Sequence, residues 1–507
     1  MICPFRSAVA ALAGFVAVAT TLAADSLSLP RSTPEKQGVA SAQLLRLVEA
    51  LDAMDQVHSL MVVRHGHVVA EGWWGPYDAA TRHELYSLSK SFTSTAVGFV
   101  VAEGKVSVDD PVLKYFAADA PAEPGGNLKA MRVRDLLTMA TGHQDEPPTS
   151  PDKISAKTFL AHPVPHKPGT HFKYNTAATF MQSALVQRVT GQTALDYLRP
   201  RLFEPLGIRE PRWDANFEGI SLGGYGLRLR TEDIAKFGQL YLQQGRWQGK
   251  QLLPVAWVAA ATAKQVSNGS NPASDWDQGY GFQFWRCQHG AYRGDGAFGQ
   301  YCVVLPEQDA VVAITSGLGD MQAVLNHLWN ELRPAFAAKR LPSDKTAQDR
   351  LAAKLHSLTV KMPVSAATSP RGSAVFGRPF IFPANDQKLE SLSLTPLVSD
   401  GWLLTRRING TETVLRCGHS RWLDGNGSLG AAPRGPLGAL DAEPLAASAA
   451  WTADDTFTVK VCARETPYQT TFTLQFAGDE VTVRSQTNVG FGNTKPAPLT
   501  GRAKANP

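Results

Sequence analysis

Apolar and polar positions change period several times along this chain, and each change marks an element. Leu44, Leu45, Val48 and Leu51 recur at helical spacing within Gln43 to Met54, which predicts a helix with one buried face. Two short apolar runs follow, Val57 to Arg64 and Val68 to Trp74, and the His65-Gly66-His67 break between them predicts a hairpin with a glycine turn. Helical period returns from Ser87 to Glu103 and stops at Gly104. Further helices are predicted over Val133 to Met139, Ala177 to Thr190, Ala194 to Leu202 and Thr231 to Gln244, with Gly142, Gly191, Gly207 and Gly245 placed where helix C-termini favour glycine. The period then shortens: Tyr280 to Cys287, Gln300 to Leu305 and Ala310 to Ser316 predict adjacent strands of one antiparallel sheet. A helical pattern resumes over Ala323 to Phe336.

Strands, then many helices, then strands and a last helix predict a mixed α/β (α+β) unit. In it an antiparallel sheet is flanked by helices, an all-helical subdomain is added, and the two ends of the segment meet in one sheet. From Ser343 the texture differs. One helix to Leu358 leads into a Pro-, Ser- and Ala-rich linker through Gly372. Short runs follow at Leu389 to Leu394, Thr456 to Val461, Thr470 to Phe476 and Glu480 to Arg484, which predict a smaller all-β domain, barrel or sandwich. The expected organisation is residues 25–342, a helix and linker over 343–372, and a β-domain over 373–507. A chain of 507 residues exceeds what one core usually organises.

Composition narrows the classes of function. The first 24 residues read as a cleaved export signal. Arg6 precedes an apolar stretch, Ala8 to Ala19, that is short for a membrane span, and small residues at Thr21, Ala23 and Ala24 suit cleavage near Ala23 or Ala24. A periplasmic or secreted protein is expected, with an uncleaved anchor as the alternative. Arg6 is the only charged residue of that leader, so its loss takes the formal net charge from +5 to +4. With basic residues scattered rather than striped, nucleic acid is excluded as a partner. Cys3 falls in the leader, leaving Cys287, Cys302, Cys417 and Cys462. Their spacing suggests one disulfide in each half, Cys287 with Cys302 and Cys417 with Cys462, although four buried free thiols fit equally well.

The strongest chemical constellation is Ser87-Leu88-Ser89-Lys90 at the start of a predicted helix. Residues three apart share a helix face, so the amine can reach the hydroxyl. Apolar surroundings and the helix N-terminus lower an ammonium pKa, and a neutral amine can then act as the base that an unaided serine lacks. The pattern alone is weak and recurs at Ser150 and Lys153, where Pro151 marks Ser150 as a helix cap. Gly219 to Gly223 (GISLG) has the letters of a nucleophile elbow without the preceding strand, and Gly294 to Gly299 has those of a dinucleotide loop but is followed by a strand. His65 and His67 lack further ligands at metal-site spacing. The chemistry calls for no metal or organic cofactor.

The Ser87 motif keeps specific company: GKVSVDDPV from Gly104, VRDLLTMATG from Val133, KPGTHFKYN from Lys167, FEPLG from Phe203 and GGYGLRLRTEDIAKFG from Gly223. Together these resemble the serine β-lactamase and penicillin-binding-protein-like superfamily, near class C β-lactamases and serine esterases, over roughly residues 40 to 336. The resemblance implies that Ser87 is the nucleophile, Lys90 its activating amine, and Tyr174 the phenol that shuttles a proton to the leaving group. It also implies an oxyanion hole from the Ser87 and Ala297 amides beside Gly296. Two departures matter. Tyr174-Asn175-Thr176 puts threonine at the family's asparagine position unless Asn175 takes over, and Arg293-Gly294-Asp295-Gly296 replaces the lysine-bearing third motif, leaving Arg293 as the candidate clamp for a substrate carboxylate.

The expected activity is hydrolysis of a small ester, amide or short peptide, of the carboxylic-ester or D-amino-acid-peptide type, through an acyl-enzyme on Ser87. β-Lactam or linear amide hydrolysis is an alternative within the enzyme class, and a catalytically weak penicillin-binding-like sensor or scaffold is the alternative outside it. The C-terminal strands either edge the pocket, mediate assembly or stabilise the rest.

Overall fold

The computed structural model describes residues 27–398, 400–429 and 442–504; the expected export signal lies outside them. Among the described residues no helix is long and apolar enough to cross a membrane.

Helix α1 (Ser41–Ala53) leads into the hairpin β1 (Val57–Arg64) and β2 (His67–Trp73). Helices α2 (Ser89–Ala102), α3 (Thr176–Thr190) and α4 (Thr231–Leu242) follow, with shorter helical turns between them. Strands β3 (Trp285–Arg286), β4 (Tyr292–Gly296), β5 (Gln300–Leu305) and β6 (Ala310–Ser316) complete a six-stranded sheet of order β2-β1-β6-β5-β4-β3. The first and last strands of the segment, β1 and β6, pair antiparallel with Leu60 opposite Ile314. The expectation that its two ends share one sheet is met.

β1 is buried along its whole length, and strand alternation sorts its side chains between two helical layers. Leu60 and Val62 join Leu44, Val48 and Leu51 of α1 on one face; Met61 and Val63 join Phe92 and Val97 of α2 and Ile234 of α4 on the other. Gly238 lets α4 lie close on the sheet, since a methyl group there would stand 2.5 Å from Val311 Cγ1.

Beyond Phe336, helix α5 (Lys345–His356) folds back on α1, with Lys354 Nζ bonded to Asp52. The barrel then runs β7 (Phe380–Ile381), β8 (Leu389–Pro396), β9 (Gly401–Ile408), β10 (Thr411–His419), β11 (Leu423–Gly427), β12 (Glu443–Ala453), β13 (Thr456–Ala463), β14 (Gln469–Ala477), β15 (Glu480–Thr487) and β16 (Leu499–Ala503). Nine of these strands form a ring, closed by parallel pairing of β10 with β12 at Cys417–Ala447, while β11 pairs beside them on β12. Closure removes the exposed edges of an open sheet. Leu404, Trp451, Phe457, Leu474 and Phe476 fill its core.

The structure decides between the two cysteine alternatives and corrects two expectations. All four cysteines are free and buried. Alternation is the reason: Cys302 faces the α4 layer and Cys287 the α1 layer, while Cys417 points into the barrel and Cys462 out toward the other domain. Only Trp285–Arg286 of the expected strand over Tyr280 to Cys287 is regular, because the chain turns at Gln283, where φ is 63°. The stretch from Ala323 is likewise broken, an α-helix at Met321–His327 passing through a wider turn at Leu328–Leu332 into a tight one at Arg333–Ala335.

Candidate active site

Ser87 sits in a 3-10 turn, Tyr86–Leu88, that feeds directly into α2. The chain enters that turn through Tyr86 at φ 45°, a left-handed conformation that costs a bulky residue energy and is held by its surroundings. The Tyr86 amide donates to Glu84 Oε1 (3.1 Å), and its phenol is 2.6 Å from the phenol of Tyr468 on the barrel. Burial raises Glu84 to about 7, against the opposing pull of Arg228.

One helical turn on, Lys90 is buried, 1% exposed. Its Nζ lies 3.3 Å from Ser87 Oγ, 3.4 Å from Thr176 Oγ1 and 2.7 Å from the Gly224 carbonyl. Among the described residues no carboxylate is within ion-pair distance. Burial lowers its pKa to about 7, with Glu146 and Asp295 opposing the shift from further off. An amine lowered this far can give up its proton near neutral pH and then accept one from a neighbouring hydroxyl.

The Tyr174 ring centroid lies 5.2 Å from Lys90 Nζ, and the ring stacks on Trp285 at 5.5 Å. Burial raises the phenol well above its ordinary value and Asp295 adds to this, while a hydrogen bond with the Ser87 hydroxyl pulls the other way. The serine is therefore flanked by an amine that can lose its proton and a phenol that keeps one. Strand β4 crosses the start of α2 so closely that a methyl group on Gly296 would stand 1.9 Å from the Leu85 carbonyl and 3.1 Å from the Ser87 amide nitrogen. Glycine is required there by space.

These residues open on a cavity of about 540 Å³ that Ser87, Tyr174, Thr176, Gly296 and Ala297 line together. Six of the eight expected site residues thus converge, counting Lys90 beneath Ser87. Two do not. Asn175 is fully buried as the N-cap of α3, its Oδ1 accepting from the Ala178 amide (3.0 Å), so Thr176 alone reaches the amine. Arg293 is also fully buried and cannot clamp a substrate: Nε donates to Asp295 Oδ2 (2.8 Å), Nη1 to the Asp275 carbonyl (2.7 Å), and the guanidinium lies over Trp276 at 4.4 Å. On β4 Asp295 faces the cavity, and its arginine is spent on holding that carboxylate.

Sequence reasoning missed Glu146, Asp295 and the aromatic wall of Tyr86, Trp276, Trp285 and Phe491. Asp295 had a readable signal, as the residue between the two glycines of the third motif. Phe491 had none, because it arrives from the barrel some 400 residues away in sequence. The C-terminal domain thus contributes to the cavity wall.

The family profile described as Beta-lactamase matches residues 46–329, more than half of the chain, and the chain belongs to that family. It is 24% identical over 286 residues to a 6-aminohexanoate-dimer hydrolase of Paenarthrobacter ureafaciens, covering 52% of this chain and 73% of that one. It is 26% identical over 233 residues to an Escherichia coli K12 protein provisionally named a D-alanyl-D-alanine carboxypeptidase, covering 38% of this chain and about half of the relative, 52%. A Bacillus anthracis structure provisionally named a 6-aminohexanoate-dimer hydrolase superposes with a TM-score of 0.51 at 20% identity, over 62% of this chain and 89% of that one. The fold is that of β-lactamase-family serine hydrolases, whose named relatives here include an amide hydrolase and a carboxypeptidase.

Proposed function

We propose that this protein is an exported serine hydrolase that cleaves a carboxylic ester or a small amide through an acyl-enzyme on Ser87. The observation that carries the reading is the desolvated Lys90 amine 3.3 Å from the Ser87 hydroxyl with no carboxylate to pin its charge. As Ser87 Oγ attacks the substrate carbonyl, its proton passes to the neutral Lys90 amine. The developing oxyanion is met by the Ser87 and Ala297 amides. Tyr174, kept protonated by its buried site, donates to the departing alcohol or amine and is recharged from the Lys90 ammonium. Water then enters by the reverse path and releases the acid.

The cavity favours a substrate without a free carboxylate. Among the described residues that line it there is no lysine or arginine, while Glu146 and Asp295 are both present. Esters and neutral or amine-bearing amides therefore rank ahead of carboxypeptidase and β-lactam substrates, both of which carry an anion. Incubation with p-nitrophenyl butyrate should give a nitrophenol burst and a protein mass increased by one butyryl group, both lost in Ser87→Ala. Undiminished turnover in that variant would end the proposal.

A further inference from the structure

The barrel holds a second cavity, of about 260 Å³, separate from the catalytic one. It is walled by Leu392 of β8, Leu404 of β9, Phe472 of β14 and Val483 of β15. Alternation along β9 sends Leu404, Arg406 and Ile408 to the same face, so a guanidinium occupies a position that the pattern reserves for an apolar side chain. Arg406 is 3% exposed and lines the cavity.

Very little satisfies it. Nη2 donates to the Ser428 carbonyl (3.0 Å), the guanidinium lies 5.0 Å from the Phe472 ring centre, and Nε has no hydrogen-bond partner among the described residues. No described carboxylate is within ion-pair distance, and the rim's Asp386 is exposed and unpaired with it. Burial lowers Arg406 to about 10, with only the buried Cys417 thiol opposing, so the charge persists at neutral pH. A buried cation without a counter-ion is costly and is rarely kept without a partner. Two of the other three buried arginines are ion-paired, Arg293 with Asp295 and Arg228 with Asp214 and Glu84; Arg64 is not, but it bonds His65 and the Ala337 carbonyl and faces no cavity among those described.

We propose that this cavity is a ligand site for a small amphiphilic carboxylate, its head on Arg406 and its tail among Leu392, Leu404 and Phe472. At about 260 Å³ the cavity is smaller than the usual pocket for a drug-sized ligand, which suits a single medium-length acyl chain. A planar guanidinium matches a carboxylate with two parallel hydrogen bonds. The site also abuts the catalytic wall: Thr487 and Thr494 line it, and the Thr487 amide donates to the Thr494 carbonyl (2.9 Å) at the base of the loop that carries Phe491.

Octanoate and octanol, titrated calorimetrically into the full-length protein, test this without requiring any turnover. Octanoate should bind one to one and octanol at least about tenfold more weakly, because only the acid engages the charge. Arg406→Met should weaken octanoate at least about tenfold, with Arg406→Lys between the two. Ser485→Phe fills the cavity without touching the charge, should block binding as well, and decides the matter if Arg406→Met does not fold. No octanoate binding at about millimolar concentration, equal binding of octanol, or binding unchanged in both Arg406→Met and Ser485→Phe would overturn the assignment.

Discussion

In each domain a buried cation with no ion-pair partner among the described residues stands at a cavity, Lys90 beneath Ser87 and Arg406 in the barrel, and the two differ in kind. In the catalytic domain Lys90 is surrounded by three oxygen acceptors and lowered to about 7. In the barrel Arg406 meets a single carbonyl and still holds its proton at about 10. A lysine in a dry site becomes a proton carrier because it can give its charge up; an arginine in a dry site stays an unfilled electrostatic socket. Similar burial thus prepares one site for chemistry and the other for holding an anion.

Exchanging the side chain is the severest way to break that comparison. Lys90→Arg keeps charge and reach but not the ability to deprotonate, and turnover of a p-nitrophenyl ester should fall at least about a thousandfold, as for loss of the nucleophile's base. Equal activity in this variant would show that charge, not proton transfer, is what Lys90 supplies. Tyr174→Phe removes the donor and leaves the base, so kcat should drop about a hundredfold, most for substrates with poor leaving groups. An equal loss for activated and unactivated esters would remove the phenol from leaving-group protonation.

The titration of Lys90 supplies a finer test. On the proposed mechanism its neutral form is the active one, so kcat/KM should rise about tenfold per pH unit below about 7 and level off above it. Stability carries the matching sign. The folded pKa is lowered from 10.5, so the unfolded chain binds the extra proton between about 7 and 10.5, and stability rises with pH across that window. Lys90→Met should therefore raise the thermal midpoint most below pH 7, and the gain should fade toward pH 10. Arg293 is the neutralised counterpart. Arg293→Met leaves Asp295 buried and unpaired and should cost about 3 kcal/mol in urea unfolding. The smallest effect is expected for Phe491→Ala, a severalfold rise in KM with kcat nearly unchanged, since only one wall of the cavity is shortened.

Local rules made much of this legible in advance. The Ser87–Lys90 pair follows from helix spacing, and the sheet that joins both ends of the first domain follows from the order of its patterns. The hairpin at Gly66 and the all-β texture beyond Gly372 are local in the same way. What escaped depended on which face a residue occupies. Cys287 and Cys302 are close enough in sequence to suggest a bond, yet lie on opposite sides of the sheet. Asn175 and Thr176 are neighbours, but the helix start uses one as a cap and turns the other to the amine. Arg293 stands two residues from the cavity-facing Asp295 and was consumed by it. Phe491 and Tyr468 depend on how a distant barrel docks, which no local spacing encodes.

The ring of the barrel also closes through strands far apart in sequence. Its first strand, β7, pairs with β8 on one side and on the other with β16, which arrives more than a hundred residues later. Leu499–Ala503 lies between β7 and β15, so the cylinder is closed there by the strand that follows the loop bearing Phe491. Ser87 and Lys90, the proposed nucleophile and base, thus come early in the sequence, and part of the enclosure around them comes from its far end. The far wall of the cavity therefore hangs from the two strands that close the cylinder.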